Sequence, residues 1–417
     1  MRLGGFRSEI AGFALVFALA YGSLATLLHR EAPLLYATLD RAFDADLELW
    51  TIDLARPQGP HERTRIHPIS VLLLNPAGSA LRGPLRMAGA ERTAWLASGL
   101  LCAVAGGIAV GAFRALLARL GVARSRARLW TLLFGCSATQ IFFSAVPESY
   151  AFSALSLVLV FVVAAGRDSS PLARVAAGVF SFGITATNLV AVGLASATAA
   201  ARRRPGGRLR ACTVELGAVL LTTAALSLAQ RAVYPTAPLF FVPGPLPPGQ
   251  AEGIAVPPTV GAALARAAAV ASHLGFTGLA APRLMVGLDA NGHTIVDFAK
   301  TAILTPTPAA AGHWLLWALV LVQAGRGLTS AAPTPATRAL ALWLGFEAAL
   351  HLFFGTSLFL YSGHWVFAVV ALAAAGLEVR PFGAPRVTAA ALLALLGLQL
   401  AANATLVRQL LTTFARS

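Results

Sequence analysis

Charged side chains are scarce in this chain, and several of them stand in short polar groups. Two carboxylates, Asp44 and Asp46, share the stretch FDAD, and three cations, Arg63, Arg65 and His67, share RTRIH. Glu148 lies in PESY, Asn188 follows Thr187, Glu347 stands four residues before His351, and LYSGHW carries Tyr361 and His364. A carboxylate held at a membrane surface suits general-base work on a hydroxyl. Arginines gathered just before a helix start suit an anion such as a lipid phosphate, because free N–H groups and the helix dipole add to their charge. Glu347 and His351 fall on one helix face, and ionisable groups inside a span line a cavity or pair with each other. Each group also has a plain structural use: a solvated acidic face, snorkelling arginines, a dipole-stabilised Glu148, a turn at Asn188, a belt of Tyr and Trp. His364 is not explained by such a belt.

The elements that must position these groups follow from composition. Of 417 residues, 57% are hydrophobic and only 12% charged, against about 25% charged in a soluble domain. So much apolar surface needs lipid as its solvent. That excludes a secreted disulfide scaffold, a disordered chain and an ordinary cytosolic enzyme. The net charge of +15, from 32 basic and 17 acidic residues, reflects arginine in cytoplasmic loops and does not call for nucleic acid as a partner. Cys102, Cys136 and Cys212 lie far apart and offer neither a metal-ligand spacing nor a disulfide pair.

Apolar runs predict crossings at about 8–29, 92–113, 129–146, 148–166, 210–230, 312–326, 338–355, 360–378 and 387–410. The stretch 171–201 has basic flanks on both sides, so it crosses an even number of times, as two short helices meeting near Thr187-Asn188. The expectation is an all-α polytopic membrane protein, residues 1–417 forming one transmembrane domain of about 11 helices, N-terminus inside. Eighteen arginines then fall on inner segments, and all eight histidines lie outside or in the outer half of a span. Arg2, Arg7 and Ala18-Leu19-Ala20 imitate a cleaved signal peptide, but the apolar run continues and Glu9 is foreign to such a leader, which favours a retained first helix.

Two outer loops are long. In the first, 30–91, Leu39, Phe43, Leu47, Trp50 and Leu54 recur at helical spacing and predict one amphipathic helix in the interface, with Asp44 and Asp46 on opposite edges. An apolar run at 68–81, opened by Pro68, predicts a re-entrant or interfacial helix. In the second, 231–311, a proline-dense stretch precedes a short surface helix within 259–285 and a turn at Asn291-Gly292, and the whole loop suits a lid over the first.

The ensemble resembles the GT-C superfamily of polytopic membrane glycosyltransferases, in which protein O-mannosyltransferases and the lipid A aminoarabinose transferase belong. The resemblance covers nearly the whole chain in architecture and rests on FDAD at 43–46, RTRIHP at 63–68, PESYAF at 147–152 and TN at 187–188. It implies an inverting transfer from a polyprenyl-phosphate sugar, with Asp44 as catalytic base, Asp46 its rival, and Arg65 and His67 on the donor phosphate. Arg63, Glu148, Asn188, Glu347, His351, Tyr361 and His364 are expected around the substrates. It further implies a bacterial cytoplasmic (inner) membrane, with the active face periplasmic. The adjacent Asp-Glu pair of several members is missing, which leaves the catalytic acid and a divalent-cation requirement open. Two other classes compete: a lipid or solute transporter or flippase using Glu347, and a membrane acyltransferase depending on His351.

Overall fold

The structure, a computed structural model, describes residues 3–36, 40–166, 169–201, 205–244, 253–254, 256–300 and 305–415. Its framework is helical. Five helices are long and apolar enough to cross a membrane: α1 (Leu3–Glu31), α4 (Thr93–Arg119), α10 (Pro205–Val233), α12 (Pro308–Ser330) and α15 (Pro385–Thr413). Shorter apolar helices include α7 (Tyr150–Ala165), α8 (Pro171–Ile184), α9 (Leu189–Ala200) and α14 (Val366–Val379). The predicted break at Thr187-Asn188 is present: a 3₁₀ turn, Ala186–Asn188, separates α8 from α9. Local chemistry sets several starts. Pro171, Pro308 and Pro335 sit in the first turns of α8, α12 and α13 (Pro335–Phe353), each behind a Ser or Thr whose hydroxyl caps the helix.

Helix α4 is the axis of the bundle. In its apolar window 72% of residues are buried, against 17% for α1 and α10, so those two face outward. Small residues bring backbones together. A Cβ on Gly107 of α4 would stand 2.4 Å from the Ala14 carbonyl of α1, and one on Gly376 of α14 would stand 2.2 Å from the Ala324 carbonyl of α12. At the end of the bundle where α1 begins, Glu9 accepts hydrogen bonds from Arg114, Arg124 and Arg128. Arg126–Glu378 and Arg174–Glu215 pairs join the neighbouring segments. Glu9 therefore packs as a structural acid.

Several expectations need correction. The stripe over 39–54 is not one amphipathic helix: α2 spans only Leu47–Ala55, and Asp40, Phe43 and Asp44 before it have positive φ; Leu39 lies outside the described residues. Helix α2 is enclosed by the rest of the protein, with Trp50, Thr51, Ile52, Asp53, Leu54 and Ala55 all buried. The span expected at 129–146 is broken into α5 (Arg124–Gly135) and α6 (Ala138–Phe143), with Ser137 capping the second piece. Helix α3 runs from Ser70 to Met87, longer than the apolar run at 68–81, and Pro68 precedes it. The second long loop carries α11 (Val260–Ser272) and an antiparallel hairpin, β1 (Leu284–Leu288) and β2 (Thr294–Phe298), turning at Asn291-Gly292, so the fold is mostly rather than wholly helical.

Candidate functional site

The hairpin reaches the first loop. The Phe43 amide donates to the Val296 carbonyl and the Val296 amide to the Arg41 carbonyl, both at 2.8 Å. The Phe43 ring then packs against Phe142, Phe298 and Phe359, with centroids 4.6 to 4.9 Å apart. Burying this ring fixes the left-handed turn at Phe43-Asp44 and leaves the Asp44 side chain exposed. Its Oδ2 accepts the Thr356 hydroxyl at 2.5 Å.

Asp46 has a different setting. The Arg63 guanidinium pairs with its carboxylate and lies 5.4 Å over the Trp50 ring. Its backbone amide donates to Glu148 Oε2 at 3.2 Å, while Glu148 Oε1 accepts from the Ser149 amide and hydroxyl. Glu148 is buried, and desolvation pushes its carboxyl up to about 8 despite Arg63. It therefore holds a proton at neutral pH. Asp40 is pushed up to about 7, first by desolvation and then by the Asp46 and Asp44 charges.

Arg65 packs over Gly244 and makes no ion pair among the described residues. His67 is buried against Trp50, and its Nδ1 lies 2.6 Å from the Ile184 carbonyl. Desolvation lowers it to about 3. A neutral ring that donates through Nδ1 offers only a lone pair at Nε2, which has no partner. In this form His67 ties the start of α3 to the end of α8 and does not present a cation to phosphate.

The remaining residues form a seam beneath the acids. Glu347 is fully buried, with its Oε2 3.3 Å from His351 Nε2 and 3.9 Å from His364 Nδ1. His364 Nε2 meets the Ser153 hydroxyl at 3.2 Å, and Ser153 contacts Thr185 at 3.0 Å and Asn188 at 3.4 Å. The Tyr361 ring packs at a tilt against His351, with centroids 4.5 Å apart, and stands 6.0 Å from Tyr150. Residues separated by 200 positions in sequence thus share one buried polar layer, and both carboxylate oxygens of Glu347 lack a hydrogen bond there.

Sequence reasoning missed Thr356, Ser357 and Arg266. Ser357 donates to Asp297, and Arg266 caps the carbonyls of His351, Phe354 and Gly355. It also missed the buried Asp53–His61 pair at 2.8 Å, which closes the loop after α2. For a divalent cation the fit is poor. Among the described residues no three His, Cys, Asp or Glu side chains are grouped to hold one, and Asp46 is committed to Arg63. No protein-family profile, curated protein or solved structure matches the chain.

Proposed function

We propose that this chain is a GT-C-type glycosyltransferase with eleven crossings, working at the outer face of a bacterial cytoplasmic membrane. The crossings are α1, α4, α5–α6, α7, α8, α9, α10, α12, α13, α14 and α15. A polyprenyl-phosphate sugar is the donor. Asp44 takes the proton from an acceptor hydroxyl as its oxygen attacks the anomeric carbon from the far side. The bond from that carbon to the phosphate oxygen breaks, and the lipid phosphate leaves with the electron pair. Arg65 steadies its charge, while the neutral Glu148 and the Arg63–Asp46 pair hold the loop in place.

One contrast carries the reading: Asp44 is exposed and held, among the described residues, by a hydroxyl alone, whereas Asp46 pairs with Arg63. A base works best with an uncompensated charge and an approachable face, and Asp44 is the more exposed of the two and carries no ion pair among the described residues. One observation favours a second reading. The buried Glu347–His351 pair suits a membrane acyltransferase in which His351 is the base.

Release of polyprenyl phosphate from a polyprenyl-phosphate sugar by reconstituted protein separates them. Asp44→Asn should lower turnover by about 10²–10⁴-fold with the fold intact, since Asn still accepts from Thr356. Full release in Asp44→Asn would move the base to another residue; no release by well-folded protein, with acyl transfer from a thioester that His351→Gln abolishes, would replace the first reading with the second.

A further inference from the structure

On the hairpin side of Asp44, a cleft partly open to solvent is lined by Arg266, His273, Asp297, Phe298, Lys300, Thr356 and Leu358. Its charges are unevenly answered. Arg63, Arg114, Arg126 and Arg174 each meet a carboxylate. Arg266 spends Nε and one terminal nitrogen on three carbonyls, at 2.6 to 2.9 Å, and makes no ion pair among the described residues. Carbonyl dipoles hold a guanidinium without cancelling its charge. Lys300, the only lysine in the chain, is exposed and makes no ion pair among the described residues, although its charge acts on the Asp297 carboxylate.

The carboxylates nearby are already held by the walls. Asp297 accepts from the Phe298 amide at 2.7 Å and from Ser357 at 3.0 Å, and Asp44 accepts from Thr356. His273 donates through Nδ1 to the Ala269 carbonyl at 3.0 Å and is lowered to about 4 by desolvation, so it adds a neutral lone pair. The cleft thus combines two cations that form no ion pair among the described residues with a hydroxyl shared with Asp44, and Asp297 answers only part of their charge.

We propose that this cleft takes a phosphate ester of a hydroxylated acceptor, its phosphate against Arg266 and Lys300 and its hydroxyl at Thr356, toward Asp44. What that hydroxyl then does rests on the glycosyltransferase reading; the binding does not. The ester comes either from a soluble sugar phosphate or from a phospholipid headgroup.

The test uses full-length protein in phosphatidylcholine nanodiscs and two matched probes, methyl mannoside and its 6-phosphate. The phosphate form should bind at least about tenfold more tightly, and Lys300→Gln should remove about tenfold of that affinity, as expected for one charge-assisted contact. Polyprenyl-phosphate binding should stay unchanged in Lys300→Gln and fall in Arg65→Ala. Competition when phosphatidylglycerol replaces phosphatidylcholine identifies a lipid headgroup as the source; its absence identifies a soluble ester. Equal binding of the two mannosides, or no effect of Lys300→Gln, overturns the inference. If polyprenyl phosphate still binds in that case, the glycosyltransferase reading survives it. An unchanged melting profile of Lys300→Gln guards against misfolding.

Discussion

Replacing Arg63 by Met tests the logic that leaves Asp44 as the base. Arg63 is the only cation in contact with Asp46 among the described residues, and its side chain is 13% exposed against 26% for Asp46. Two unit charges about 4 Å apart attract by about 4 kcal/mol at an effective dielectric of ~20. Water reaches Asp46, so about half of that, roughly 2 kcal/mol, is the realistic coupling. Glu148 adds little to the loss. Arg63 lowers its pKa, so removing the guanidinium leaves Glu148 protonated and neutral. The cation–π contact with Trp50 adds about 0.5–1 kcal/mol that Met replaces in part by packing. The assay is a double-mutant cycle on reversible unfolding in SDS mixed micelles, with Arg63→Met, Asp46→Asn and the double variant. We expect each single variant to lose stability and the double variant to recover about 2 kcal/mol relative to their sum. Additive losses, with coupling near zero, would refute the claim that Asp46's charge is spent on Arg63, and Asp46 would regain equal standing as base.

Two further predictions concern pH and packing. Glu148 has a folded pKa of about 8 against an ordinary 4.5, so between those values the folded protein holds the extra proton. Stability from this site therefore declines as pH rises across that window and levels off above it; unfolding between pH 5 and 9 should show Glu148→Gln removing the alkaline part of that slope, and an unchanged slope would count against the assignment. Gly376→Val would drive a Cβ to 2.2 Å from the Ala324 carbonyl, forcing α12 and α14 apart. We expect a loss of about 1–3 kcal/mol in the same unfolding assay, and a neutral result would mean that the two helices do not cross that closely.

What could be read along the chain was whatever is local. The Ser/Thr-Pro starts and the Thr187-Asn188 break act over a few residues, and the structure carries them where the residues stand. The stripe from Leu39 to Leu54 misled because periodicity cannot see Phe142, Phe298 and Phe359. Those rings draw Phe43 out of helical register and end the helix before it begins. The site shows the same division. Glu347 and His351 announce their pairing through i,i+4 spacing, but His364 joins them only through packing of the segment after α13. Thr356 and Arg266 are ordinary residues in sequence, and their roles come from a partner more than 80 positions away in each case.

The Phe43 cluster has a consequence for how the protein tolerates change. Its four rings come from the first loop, α6, the hairpin and the turn before α14, and no two of these segments are sequence neighbours. A left-handed turn at two non-glycine residues is costly for L-amino acids, about 1–2 kcal/mol each, and persists only where its surroundings insist on it. The direction of the Asp44 carboxylate is therefore owned jointly by four stretches of chain, like a rivet through four plates. Shaving any one ring loosens the other three and lets the turn relax toward an ordinary backbone, swinging the acid away from Thr356. Drift in this family of contacts must then be concerted, and a chain that has lost one of the rings should have rebuilt the others around the gap.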